Sequence, residues 1–326
     1  MSGQNVEVLV GHAQDISVKF HDSELINKEV FPMIELMSPK QKITRYNKGE
    51  QFQSGASERA PGTRIKTTQV ERDTVDANTK QYAASDMITR EDLRDAGIPN
   101  GQSPPIELAT DSIEKNSKDL DLGREIRVAE AIFADTWSDG VAGGKDQAGS
   151  WLAPSTSTFL ADFDVALSKL KREGVNPKSL RLMLDFGTMQ AIKRIDDMRE
   201  QLKYVGRDSL TADSLANILQ IGSVVVGGAV MNTADAGSTD AYAGQYIWEK
   251  NDTKGSAFLY AFQGPGRKKL NAGVQTRSKL DNKQVRITES YWHNEKKGHV
   301  YDSMEETGTV VTANSAGYLW IDTILT

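Results

Sequence analysis

Four histidines, His12, His21, His293 and His299, are the side chains of this sequence best suited to proton transfer or metal binding near neutral pH. No two of them stand four residues apart to share a helical face, and no carboxylate joins them in a His-Glu-x-x-His arrangement. The adjacent acids Asp196-Asp197 and Glu305-Glu306 cannot face each other from one element, so both pairs read as solvated charges. Gly264-Pro265-Gly266-Arg267-Lys268-Lys269 lacks the spacing of a phosphate loop and has no helix signal after it; it reads as a charged turn. Arg267-Lys268-Lys269 and Lys296-Lys297 read as solvated turns or as halves of ion pairs between subunits. A Gly-x-Ser-x-Gly elbow is missing, and with no cysteine the chain has no thiol nucleophile, Cys-ligated metal or disulfide. The expected catalytic, cofactor-binding and metal-ligating sets are therefore empty, and no cofactor is expected.

Charge narrows the partners. With 39 basic and 45 acidic side chains the net charge is −6 over 326 residues, which disfavours non-specific binding to nucleic acid or anionic lipid as the main activity. The first residues lack a cationic stretch followed by an apolar one, so they do not read as a secretory signal. The longest apolar stretch, Gly222–Met231, is about half the ~20 residues that span a bilayer. The expectation is a soluble protein of two domains, or of one body with long extensions.

The elements that would position any function fall into contrasting zones. Residues 1–38 alternate short apolar pieces (Val6–Val10, Ile16–Phe20, Val30–Leu36) with polar ones, and read as a segment lying extended against something else. Between Asn47 and Gln81 the sizeable hydrophobes are Phe52, Ile65, Val70 and Val75. The β-branched run Thr63–Val75, after the turn-forming Arg59-Ala60-Pro61-Gly62, makes residues 39–85 a two-stranded excursion that needs a neighbour to lie on. After Pro104-Pro105 a helix runs to about Trp137. Its stripe (Ile106, Ile113, Leu120, then Leu122, Ile126, Ala129, Phe133) shifts phase near Gly123, predicting a bend or a change of partner there.

Residues 138–150 read as a loop, followed by a compact α/β region. That region comprises a helix capped within Ser155–Ser157 and facing inward through Phe159, Phe163, Ala166, Leu167 and Leu170, then a strand at Leu180–Leu184. Helices follow at Thr188–Ile195 and Thr211–Leu219, and strands at Val224–Val226, Tyr246–Trp248 and Ala257–Phe262. Short β segments close the chain at Val274–Arg277, Val285–Thr288, Thr309–Thr312 and Tyr318–Ile324.

This order of parts resembles the tailed-bacteriophage major capsid proteins of the Hong Kong 97 type. The likeness is carried by Arg45-Tyr46-Asn47-Lys48, Arg59–Thr63, Tyr82-Ala83-Ala84, the acids at Glu91-Asp92, the helix with Arg124-Glu125-Ile126-Arg127-Val128-Ala129-Glu130, and the closing Thr309–Asp322. It implies an α+β capsid fold: an N-terminal arm (1–38), an extended β-hairpin E-loop (39–85), a peripheral domain with a long spine helix (86–140 and the return strands 265–326), and an axial α/β domain (141–264). It further implies a virion shell of hexamers and pentamers, assembled in the host cytoplasm and enclosing double-stranded DNA without sequence-specific contacts. The chain itself would be the main partner, beside a portal and possible decoration protein. With an arm that begins almost at Met1, a separate scaffolding protein is expected. Contacts between subunits would involve Arg59, Arg64, Lys66, Glu71 and Arg72 of the loop. Some family members join subunits through Lys–Asn bonds. Lys66, Lys80, Asn282 and Asn294 are present, but any chain of this size has such residues, so that chemistry is not carried over. Two rivals remain at this point: an encapsulin-type cellular shell, and a two-domain α/β enzyme with residues 39–85 as a lid.

Overall fold

The computed structural model describes residues 25–46, 52, 54, 56, 58, 61–62, 64, 72–95, 97–98, 106–205, 210–234, 242–250, 254–266, 269–279 and 285–324. It opens with a helical turn, α1 (Asn27–Val30), and a short strand, β1 (Met33–Glu35). Strands β2 (Lys40–Tyr46) and β3 (Arg72–Asn78) form an antiparallel hairpin. β4 (Lys80–Thr89) and α2 (Arg90–Asp95) lead to the 29-residue helix α3 (Ile106–Ala134). Then come β5 (Lys145–Asp146), α4 (Phe159–Arg172), β6 (Leu180–Asp185), α5 (Phe186–Ile192), α6 (Asp196–Val205) and α7 (Ala212–Ile218). Strands β7 (Ser223–Gly227), β8 (Val230–Asn232), β9 (Gly244–Tyr246) and β10 (Ser256–Ala261) follow. The described chain closes with β11 (Gly273–Ser278), β12 (Arg286–His293), β13 (Gly298–Val311) and β14 (Gly317–Ile321).

The first sheet is organised by β13. β4 pairs along one side of it, from Lys80↔Thr307 to Thr89↔Gly298, while β12 and β11 occupy the other side in succession. β1 adds parallel to β11. The second sheet runs β5-β14-β10-β6-β7. Here the two-residue period of the strands decides the architecture. Leu180, Leu182, Leu184, Ala257, Leu259, Tyr318 and Trp320 face a cluster supplied by Phe159, Phe163, Ala166 and Leu170 of α4 and by α5, α6 and α7. The intervening Met183, Phe258, Tyr260 and Leu319 share a second cluster with Val128, Ala129 and Ile132 of α3 and with Val30 and Phe31.

Helix α3 joins the two sheets. Leu108, Ala109 and Ile113 from its first half cluster with Ile88, Leu93, Ile98 and Tyr301, and its second half packs into the second sheet's cluster. The phase shift near Gly123 thus corresponds to a change of partner within one continuous helix.

Several expectations shift. Residues 26–36 do not lie on something else: Ile26, Val30, Phe31, Ile34 and Leu36 are buried in the chain's own core. Gly273 lets Phe31 approach the β11 backbone so closely that any Cβ there would collide with its ring. The excursion ends at Asn78, because Lys80 already pairs in the first sheet. Pairing also divides segment 265–326, since β14 hydrogen-bonds β10 of the second sheet. The cap of α4 is Thr158, one residue after the expected range, while α7 starts at a reciprocal Thr211–Ser214 capping box. The strand expected at Tyr246–Trp248 lies two residues earlier, as β9, and pairs with β8.

Candidate assembly surface

The spine helix carries buried polar side chains, Asn116, Arg124 and Glu125 among them. Glu125, fully buried, accepts hydrogen bonds from the Ile26 backbone N–H at 2.9 Å, the Asn27 N–H at 2.8 Å and Trp248 Nε1–H at 2.7 Å. One carboxylate therefore ties the N-terminal segment, the spine and the approach to β10 together. Burial pushes its carboxyl above the usual range, against the pull of those three donors.

One residue earlier, Arg124 donates to Glu305 at 2.6 Å, and Arg286 reaches both Glu305 at 2.8 Å and Asp121 at 2.7 Å. Arg127 stacks 3.5 Å over the Tyr82 ring. Glu305 is 1% exposed, which corrects its reading as a solvated charge: β13 turns it toward α3, where three guanidinium groups neutralise it. Its neighbour Glu306 points the other way and accepts from the Thr79 hydroxyl at 2.7 Å. Sequence reasoning quoted Arg124 and Glu125 without a role. The available signal was two charges set on the apolar stripe between Leu120 and Val128.

The hairpin β2–β3 is the opposite environment. Of its side chains described, Ala77 alone is buried, and Ile43 and Val75 are a half-buried cross-strand pair. Arg45 and Asp73 pair at 2.7 Å with both side chains exposed; that hydrogen bond, helped by the Thr74 N–H, holds the Asp73 carboxyl below its ordinary value. Such pairs in water contribute little. Beyond the hairpin, the Phe52 ring lies over Gly174, at the end of α4, and is itself 67% exposed. Of the loop residues expected to meet a neighbouring subunit, Arg64 and Arg72 are exposed, and Arg59, Lys66 and Glu71 lie outside the described residues.

Among the described residues no three His, Asp or Glu side chains converge on a metal position. His299 packs edge-on to Trp292 at 4.8 Å between ring centres, and the His293 ring nitrogen accepts from the Lys296 N–H at 3.2 Å. His12 and His21 lie outside the described residues. A cleft of about 630 Å³ between β4 and α3 is lined by Asp86, Ile88, Asp92, Leu108 and Lys115, with Asp86 and Lys115 paired at 2.8 Å. No described helix is long and apolar enough to cross a membrane.

Comparison with solved structures settles what this architecture is. A phage-related protein from Bordetella bronchiseptica RB50 superposes over 98% of this chain and 97% of its own, with a TM-score of 0.67 and 25% identity. The capsid of cyanophage P-SCSP1u matches 95% of this chain and 91% of its own, with a TM-score of 0.60 and 11% identity. The mature capsid of bacteriophage PhiM1 matches 94% and 89%, with a TM-score of 0.53 and 12% identity. The chain has the Hong Kong 97-type capsid fold. No family model matches its sequence, and no curated protein sequence does. Within the Hong Kong 97-type fold, α3 is the spine helix and β2–β3 the base of the extended loop. The buried ionic cluster lies where spine and first sheet meet.

Proposed function

We propose that this chain is the major shell subunit of a tailed-phage-type head, assembling as hexamers and pentamers into an icosahedral capsid around double-stranded DNA. The observation that carries this reading is the hairpin β2–β3, which projects from a well-packed body with one buried side chain among those described. An isolated two-stranded hairpin is marginal in water, and a second copy supplies the surface it lacks.

On this reading the arm is the part of residues 1–38 before Leu25, and the loop reaches a neighbour through residues 47–71. The peripheral domain is built on the first sheet and the axial domain, about residues 141–264 with β14 added, on the second. The charged loop residues Arg59, Arg64, Lys66, Glu71 and Arg72 meet the adjacent subunit. Each contact is weak, and repetition around a closed shell makes the assembly stable. The net charge of −6 suits a container that holds DNA without gripping it.

Electron microscopy of the purified protein tests this. Uniform closed shells large enough for a phage genome are expected. A discrete monomer or dimer that resists assembly under all conditions would overturn it, and small shells filled with a cargo enzyme would favour a cellular compartment.

A further inference from the structure

Strand β12 is an open edge of the first sheet. Among the described residues it pairs with β13 alone, in unbroken register from Arg286↔Glu305 to His293↔Gly298. Residues Thr288 to Trp292 are all exposed, so neither face is covered there. Long free edges are normally shortened, bulged or broken by proline. Of the other edge strands, β1, β5 and β7 are three, two and five residues long, and the ten-residue β4, which also pairs with β13 alone, is partly buried at alternate positions. β12 has eight residues, no proline, no glycine and an unbroken ladder, with Tyr291 and Trp292 exposed near its tip. Alternate residues along it present unpaired N–H and C=O groups outward.

The chain carries a segment that fits this edge. Ile16-Ser17-Val18-Lys19-Phe20 alternates apolar and polar residues with the period of a half-buried strand, and it belongs to the 24 residues that precede the described part of the chain. The antiparallel alignment that sets Lys19 opposite Glu289 also sets Ile16 opposite Trp292. An opposite-charge pair and a β-branched residue on an aromatic ring are both favourable cross-strand neighbours. We propose that β12 accepts Ile16–Phe20 of a neighbouring copy as an added antiparallel strand.

The occupant is a second copy for a physical reason. In this register Ile16, Val18 and Phe20 share the face of Thr288, Ser290 and Trp292. Arg286 on that face reaches α3, but the three residues beyond it are exposed, so the helix does not extend over them. On its own subunit the apolar row would meet little besides Trp292, too little burial to offset the cost of ordering the segment. At a contact between copies, the donor's own surface covers the row. Residues 21–25 span at most about 18 Å, which places the donor's Leu25 beside the acceptor's β12. Donor segment and acceptor edge are different surfaces of one chain, so the contact is head-to-tail, and in the hexamers and pentamers of the shell reading it closes as a ring. This rests on the shell reading above.

The absence of cysteine makes the test clean. Directly opposed strand residues place their Cβ atoms about 4.5–5.5 Å apart, close to disulfide reach. Purified particles of an Ile16→Cys, Trp292→Cys double variant, oxidised and run on a non-reducing denaturing gel, are expected to give a ladder ending at five or six subunits. A Ser17→Cys, Trp292→Cys variant, slipped to the opposite face, is expected to give none. A bridge that leaves the mobility of a monomer, or no bridge in well-formed particles, overturns the proposal. Should the cysteine variant form no particles, Lys19→Glu and Glu289→Lys decide: each is expected to cut particle yield several-fold and their combination to restore it, and failure to restore overturns the proposal. If the unaltered protein forms no particles, the shell reading fails with it, an outcome visible before any variant is made.

Discussion

β10 and β12 are antiparallel strands of similar length in opposite environments. All six residues of β10 are buried, with helices on one face and the spine on the other, whereas five consecutive residues of β12 are in contact with water. The hairpin β2–β3 resembles β12 in this respect. The difference separates what holds the subunit together from what it offers to others: apolar burial fixes the second sheet, and the polar strands keep their backbone and charges available for contacts between copies.

The largest effect expected within the subunit is at Phe258, which is fully buried, lies 4.6 Å from Trp137 and stacks on Tyr260 at 5.2 Å. Phe258→Ala should destabilise the unassembled subunit by about 3–5 kcal/mol in denaturant unfolding. A loss below 1 kcal/mol would mean that the second sheet is not the stabilising core.

Glu125 comes next. Glu125→Gln turns one acceptor into a donor facing N–H groups, and is expected to cost about 1–3 kcal/mol. It should also change the pH profile. Because the folded carboxyl is raised by burial, its contribution is fully present below the unfolded value and is lost as pH rises through the folded one. Stability followed from pH 4 upward should therefore fall more steeply in the native protein than in the variant. Parallel profiles would show that Glu125 is not held in this environment.

The smallest effect belongs to the hairpin. Arg45→Ala breaks an exposed pair and should leave the unfolding midpoint of the subunit unchanged. A clear loss would place the hairpin inside the cooperative core and erase the contrast with β10.

Much of this division was legible in the sequence. Pro104-Pro105 and the apolar stripe located α3, and Leu180–Leu184, Val224–Val226 and Ala257–Phe262 located buried strands by apolar runs interrupted only at Arg181. Other elements were hidden because their inward residues are polar. The first part of β13 carries Asp302, Ser303, Glu305 and Glu306, and reads as a solvated stretch until Arg124 and Arg286 are seen to face Glu305. α6 begins Asp196-Asp197, and its inward Met198 and Leu202 are too few to announce a helix. The burial of Phe31 depends on Gly273, more than two hundred residues away, which no local pattern could reveal.

The central claim is that the body is stable alone and the loop is for neighbours. Replacing residues 47–71 by a short linker, then measuring unfolding and imaging the product by electron microscopy, tests it most directly. The account predicts an unchanged unfolding midpoint and no closed shells. Normal shells in normal yield would contradict it.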